Sequence, residues 1–175
     1  MNQLILTQRF LKAFNFMQEN EGGFSDNKKD PGLATAYGVS SKWFPDVYNQ
    51  LMAADSPEET MQILQSFYNS EFWNPLYDNM FYEPTAIRLF DLSVNQGKVP
   101  AVKLIQHAFN DLSQTKIGED GHFGDGTLRA VNLSPVSPDN FYQHFLKVAE
   151  NYYRTLADFP EFGRGWLARL YKPIV

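Results

Sequence analysis

The 175-residue sequence contains no cysteine. The chain therefore has no disulfide framework, no thiol nucleophile and no thiolate ligands for a zinc site. Positively charged residues are also few: the chain has 15 Lys and Arg against 20 Asp and Glu, which gives a net charge of -5. Without a basic tail or a basic excess, the composition argues against nucleic acid as the main partner.

Long hydrophobic runs are missing as well. No stretch approaches ~18 apolar residues, so no membrane insertion is expected. The first nine residues lack the basic start and the apolar run of a signal peptide. We therefore expect synthesis in the cytoplasm, and any action outside it would need a separate release or export route.

The residues that are abundant point to a globular protein with a substantial core. Hydrophobic residues make up 43% of the chain and aromatic residues 15%, and the length suits one domain or two small ones. Most single aromatic residues, Trp73 among them, are expected in the core rather than on a sugar-binding surface.

Helical periodicity dominates the sequence. A first helix is predicted from about residue 4 to Glu21, where Gly22-Gly23 ends it. Residues 24–41 are rich in turn formers and predict a small hairpin lobe. Further helices follow, one of them with Ser56 as its N-cap and Glu59 closing a capping box. The expected fold is mainly α, with a small β-hairpin lobe after the first helix.

The end of the first helix carries the most suggestive chemistry. Phe10, Ala13, Phe14 and Met17 lie at helical spacing, and Glu21 continues the same face. A carboxyl beside a core is desolvated, which favours its protonated form. A carboxyl that stays protonated near neutral pH can act as a general acid.

A second carboxylate follows Glu21 across the turn region. Asp30 comes nine residues later and Thr35 five after that. Glycoside hydrolysis needs an acid on one side of the bond and a carboxylate on the other, and a hydroxyl could position water for an inverting reaction. Asp26 competes with Asp30 for this place. The structural alternative is a helix-terminal glutamate followed by an ordinary solvated loop.

Two motifs in this region resemble glycoside hydrolase family 108. They are Glu19-Asn20-Glu21-Gly22-Gly23-Phe24 and Asp30-Pro31-Gly32-Leu33-Ala34-Thr35-Ala36-Tyr37-Gly38-Val39. The resemblance implies a lysozyme-like N-acetylmuramidase, a class that phages often encode as endolysins. It implies that Glu21 is the catalytic glutamate, Asp30 the second carboxylate and Thr35 the water-positioning hydroxyl. Leu33 and Ala36 depart from the family pattern but replace no acid. Tyr37 is a candidate substrate-binding residue.

The second half resembles the peptidoglycan-binding portion often fused to this family. The motifs are Phe90-Asp91 with Asn95-Gln96-Gly97, Ile105-Gln106-His107-Ala108 with Asp120 to Thr127, and Phe162 to Arg169. The resemblance implies a lysozyme-like catalytic portion over residues 1–88 and a helical peptidoglycan-binding portion over 89–175, packed as one compact unit.

Individual residues of these motifs have structural alternatives. Asp91 is expected to pair structurally, whereas Asn95 is a candidate for binding a sugar amide. Arg169 is expected to serve packing and surface charge. The turn from Asp120 to Asp125 lacks the ligand pattern of a calcium loop, and the spaced histidines form no metal pattern. We expect no metal and no cofactor.

The sequence therefore predicts a monomeric peptidoglycan hydrolase. It would cleave the β-1,4 bond between N-acetylmuramic acid and N-acetylglucosamine in glycan strands, after holin-type release or dedicated export. A lytic transglycosylase and a binding module without catalysis are the alternatives. Asp30 and Thr35 argue against the first, and Glu21 with Asp30 against the second.

Overall fold

A computed structural model describes residues 6–20 and 35–175, and at Thr35 the backbone alone. The chain divides into two compact units, residues 1–73 and residues 74–175. The described elements of the first unit are α1 (Gln8–Asn20), β1 (Thr35–Ala36), β2 (Val39–Ser40), α2 (Pro45–Ala53) and α3 (Pro57–Phe72).

Helix α1 buries the predicted apolar stripe. It begins at Gln8, later than the periodicity predicted, because the Thr7 hydroxyl accepts a hydrogen bond from the Phe10 N–H (3.1 Å) and caps the helix. The ring of Phe10 lies 5.6 Å from Trp73, and the ring of Phe14 lies 5.8 Å from Tyr68. The stripe therefore packs against α3 and the residue after it, and Trp73 is a core residue as expected. The buried residues of α1 are Phe10, Ala13, Phe14, Phe16 and Met17.

Strands β1 and β2 confirm the predicted hairpin after the first helix, whereas residues 24–34 of the predicted lobe lie outside the described residues. The two strands pair antiparallel, with Ala36 opposite Val39. Tyr37 and Gly38 form the two-residue turn, with φ of 53° and 78°. Two consecutive positive φ angles define a type I′ turn, whose twist matches that of the paired strands.

Helix α3 begins with the predicted N-cap. The Ser56 hydroxyl accepts from the Glu59 N–H (3.1 Å), and the Glu59 carboxylate accepts from the Asp55 N–H (2.9 Å). In a standard capping box the glutamate bonds to the N-cap itself, whereas here it reaches one residue further back. These bonds fix the loop between α2 and α3.

The second unit is built around one helix that is buried on all sides. Its elements are a short 3₁₀ helix (Pro75–Asn79), α4 (Glu83–Gln96), α5 (Lys98–Leu112), α6 (Asp125–Asn132), α7 (Pro138–Thr155) and α8 (Phe159–Leu170). Nine consecutive residues of α4, from Thr85 to Ser93, are buried. A helix that is buried all round forms the centre of a core. Helix α4 packs against α5, α5 against α7, and α7 against α8.

The mainly α fold with a β-hairpin after the first helix is therefore confirmed. The division of the chain into compact units falls between Trp73 and Asn74, whereas the functional boundary predicted at residues 88 and 89 lies inside α4. That functional division stays a prediction. None of the helices in the described part of the chain has both the length and the apolar character required to cross a bilayer.

Candidate active site

The proposed catalytic residues lie at the edge of the described region. Glu21 and Asp30 fall within residues 21–34, outside the described residues. Thr35 is described through its backbone, which pairs with Ser40 in the hairpin. The roles of these three residues stay predictions. What the structure provides is the frame on either side of them: α1 up to Asn20 and the hairpin from Thr35 onwards.

The last turns of α1 separate a buried face from an exposed one. Met17 is 1% exposed and lies in the core. Glu19 is exposed. Glu19 is thus a carboxylate of the same motif that lies outside the core, which makes it the matched control for experiments on Glu21.

Tyr37, a predicted substrate-binding residue, occupies an unusual backbone conformation. Its φ of 53° makes it the single non-glycine residue with positive φ in the described part of the chain. Asn, Asp and Gly are the residues that usually occupy this turn position, and a bulky side chain here is strained and worth a functional explanation. The Tyr37 side chain is 38% exposed.

An open cavity of about 550 Å³ lies beside Tyr37 in the first unit. Its other described lining residues come from the end of the α2–α3 loop and the first turns of α3. They are Ala54, Asp55, Ser56, Pro57, Thr60 and Met61. The hairpin turn and the start of α3 therefore enclose one cavity, with both apolar and hydrogen-bonding groups on its walls.

Asn95, the other predicted substrate-binding residue, lies exposed near the end of α4. Its side-chain amide nitrogen donates to the Asp91 carbonyl of the preceding turn at 2.7 Å. One amide hydrogen is thus engaged within the helix. Because this bond does not test sugar binding, that role stays a prediction.

The expected structural pairing of Asp91 is confirmed. Asp91 is 2% exposed, and its carboxylate accepts from Arg88 at 3.2 Å and from Arg169 at 3.1 and 2.8 Å. Arg88, with no exposed surface, also donates to the carbonyls of Arg169 and Lys172. The prediction that Arg169 supplies surface charge was therefore wrong. Its guanidinium is paired with the buried Asp91 and joins α8 to α4.

Sequence reasoning missed Arg88 altogether. Arg88 lies three residues before Asp91, which places the two on neighbouring turns of one helix. This spacing could have predicted the ion pair between them. The partner from α8 lies 78 residues away from Asp91, and local spacing carries no information about it.

The turn from Asp120 to Asp125 follows α5 and is held by the Gln106 side chain. The Gln106 side chain is 1% exposed. Its amide oxygen accepts from the Gly121 N–H at 2.9 Å, and its amide nitrogen donates to Asp120 at 2.8 Å and to Thr127 at 3.1 Å. Gly121 has φ of 77°. The two parts of this sequence motif, Gln106 and the segment from Asp120 to Thr127, are thus hydrogen-bonded to each other.

Two titratable groups near this turn belong to surface contacts. His107 and Glu119 lie 3.1 Å apart and are both substantially exposed. Hydrogen bonding from Asn110, and then from His107, lowers the pKa of Glu119. In the part of the chain that the structure describes, no three His, Asp or Glu side chains are grouped to hold a metal ion.

Comparisons with known proteins point to an enzyme that cleaves glycosidic bonds. The family model described as glycosyl hydrolase 108 matches residues 14–97. The solved structure of Brucella abortus SagA has a TM-score of 0.67 and 25% identity to this chain, and the match covers 92% of this chain and 88% of that one. No curated protein sequence matches the chain.

The match over residues 14–97 supports a glycoside hydrolase. Over residues 14–97, the chain is similar to the glycosyl hydrolase 108 family. The resemblance found in the sequence is thereby confirmed for the first half of the chain, and the family match supports a peptidoglycan hydrolase. The peptidoglycan-binding resemblance of the second half stays a prediction.

Proposed function

We propose that this protein is an N-acetylmuramidase. It hydrolyses the β-1,4 bond between N-acetylmuramic acid and N-acetylglucosamine in peptidoglycan. The observation that supports this proposal is the family match over residues 14–97, because that segment contains Glu21, Asp30 and Thr35 in the order and spacing of the family motifs.

In the proposed mechanism, Glu21 is the general acid. Its protonated carboxyl gives a proton to the glycosidic oxygen as the bond breaks. Asp30 acts on the opposite face of the sugar, where it stabilises developing positive charge or activates water. Thr35 holds the attacking water, which gives inversion at the sugar carbon. An inverting reaction requires about 6.5–9.5 Å between the two carboxyl groups, against about 5–5.5 Å for a retaining one.

The remainder of the chain serves binding in this proposal. Residues 89–175 hold the glycan strand while residues 1–88 cut it, and Asn95 bonds to a sugar amide. The enzyme acts as a monomer on the cell wall, after synthesis in the cytoplasm and then holin-type release or dedicated export. Phage endolysins work in this way, and the family resemblance supports that setting.

The deciding experiment compares Glu21→Gln with the parent on purified peptidoglycan, with mass analysis of the released fragments. We expect normal folding, a loss of at least about 100-fold in release rate, and reducing ends on the parent's products. Glu19→Gln is the matched control and keeps parental activity, because Glu19 is exposed on α1.

Other results would select a different function. If Glu21→Gln releases fragments as fast as the parent, the catalytic assignment is wrong. Anhydro ends on the products, lighter by one water, identify a lytic transglycosylase. A parent that binds peptidoglycan but releases nothing is a binding module.

Two separate substitutions identify which aspartate is the second catalytic carboxylate. In the proposed mechanism Asp30→Asn loses activity and Asp26→Asn retains it. The reverse result moves the role to Asp26, the competing acid of the same turn region.

A further inference from the structure

The cavity beside Tyr37 has the size of a small-molecule site. Its volume is about 550 Å³, within the range of roughly 300–1,000 Å³ that is typical of ligand pockets. Its described walls come from two separate elements of the first unit, the hairpin turn and the start of α3. A ligand in this cavity would therefore contact both.

Tyr37 gives the cavity an aromatic wall at a strained position. A type I′ turn would be more stable with Asn or Gly there, so the turn conformation itself does not favour tyrosine. Strain of this kind, about 1–3 kcal/mol, is concentrated at ligand-binding sites. The ring presents a flat apolar face with a polar hydroxyl, a combination that suits the mixed surface of a sugar.

The two hydroxyls at the start of α3, those of Ser56 and Thr60, offer the cavity one free hydrogen-bond donor and one free acceptor. The Ser56 oxygen accepts from the Glu59 N–H (3.1 Å), which leaves the Ser56 hydroxyl hydrogen available. The Thr60 hydroxyl donates to the Ser56 carbonyl (3.0 Å), which leaves its lone pairs available. An acetamide group needs the complementary set, since its carbonyl accepts and its N–H donates.

The charge of the described lining disfavours an anionic ligand. Asp55 is the single charged residue among the described lining residues, and it is an exposed carboxylate. A carboxylate accepts hydrogen bonds from sugar hydroxyls but repels an anion such as the lactyl carboxylate of muramic acid. Ala54, Pro57 and Met61 supply apolar surface for a methyl group.

We propose that this cavity is a subsite for one uncharged N-acetylglucosamine unit of the glycan strand. The Ser56 and Thr60 hydroxyls bond to the acetamide, the Asp55 carboxylate accepts from ring hydroxyls, and the Tyr37 ring packs against the sugar face. This inference rests on the proposed function, because it assigns a further sugar of the same substrate to a site on the first unit.

The test measures binding separately from catalysis. The tetramer of N-acetylglucosamine and the glucose tetramer cellotetraose are titrated by calorimetry into the full-length Glu21→Gln protein. We expect the N-acetylated tetramer to bind at least about tenfold more tightly, because its acetamide presents a carbonyl and an N–H to the two hydroxyls and a methyl group to the apolar wall. In the same background, Thr60→Val and Tyr37→Asn each weaken its binding about tenfold.

Stability measurements distinguish binding from a structural role. Tyr37→Asn keeps or raises the melting temperature, because Asn suits positive φ. Ser70→Ala is the control for Thr60→Val. Ser70 lies on the same helix but outside the cavity, and its hydroxyl also donates to a backbone carbonyl of α3, that of Phe67, at 3.1 Å. Ser70→Ala binds like its background protein.

Three results would overturn the subsite. They are equal affinity for the two tetramers, no binding of the N-acetylated tetramer, and parental affinity of both cavity variants. Each leaves the proposed function standing as long as Glu21→Gln abolishes release from peptidoglycan. If Glu21→Gln still releases fragments, the proposed function itself fails.

Discussion

Removal of the Asp91 carboxylate should destabilise the second unit strongly. Asp91 is 2% exposed and neutralises Arg88, which has no exposed surface, while it also accepts two bonds from Arg169. Asp91→Ala would remove the carboxylate to which both guanidinium groups donate. Breaking a buried ion pair from one side costs about 3–5 kcal/mol of unfolding free energy. For a chain of this size, that is a fall of roughly 6–20 °C in melting temperature.

The same geometry predicts a smaller effect for the other partner. Arg169→Gln removes two charged hydrogen bonds but leaves Arg88 and Asp91 as a neutral pair, and the Arg169 side chain is 19% exposed. We expect a cost of about 1–3 kcal/mol. Arg164→Gln is the matched control on α8, because Arg164 is exposed, and its effect should stay within about 0.5 kcal/mol.

Urea unfolding, followed by circular dichroism, would measure the loss of unfolding free energy in the three variants and so test their predicted order. Activity on peptidoglycan, assayed well below each melting temperature, should be unchanged in all three variants, since the network is buried structure. The reasoning is refuted if Arg169→Gln destabilises as much as Asp91→Ala, or if Asp91→Ala lies within about 0.5 kcal/mol of the parent.

Three further predictions concern a helix cap, a turn and a buried phenol. Ser56→Ala removes the acceptor for the Glu59 N–H and should cost about 1 kcal/mol in urea unfolding; no change would mean that water replaces the cap fully. Gly121→Ala should cost about 1–3 kcal/mol, because its φ is 77° and the new methyl would lie 2.6 Å from a Val99 side-chain carbon; equal stability would show that the turn can shift. Burial raises the pKa of Tyr77 from 10.0 to about 12. Its stabilising contribution is therefore complete below the unfolded value of about 10 and is lost as pH rises through about 12. Spectroscopic titration of Tyr77→Phe against the parent should show one late-ionising phenol fewer, and identical curves would contradict the assignment.

Local signals in the sequence predicted local structure well. The stripe from Phe10 to Met17 repeats at helical spacing, and every predicted member is buried. The Ser56 cap was also identifiable, because a short-range residue pattern specifies it. The hairpin was predicted as a lobe over residues 24–41, and its turn at Tyr37 and Gly38 was not located from the sequence. The start of α1 was missed because the capping hydroxyl of Thr7 was not recognised.

Long-range contacts could not be predicted in the same way. The pairing of Asp91 with Arg169 joins residues 78 apart, and the division of the chain after Trp73 depends on which helices pack together. The candidate subsite is a similar case. Tyr37 was identified from its motif, but the cavity requires the hairpin to meet the start of α3, where Thr60 has no motif of its own.

The burial of α4 has a practical consequence for anyone who wishes to isolate a minimal enzyme. The family match ends at Gly97, so truncation after that residue would be a natural first choice. A chain cut there would keep α4 but lose α5, the helix that packs against it. Ile87, Leu89 and Phe90 would then be open to water, at about 1.5–3 kcal/mol for each large apolar side chain. Such a fragment would be expected to aggregate, so inactivity of a truncated protein would say nothing about where catalysis resides.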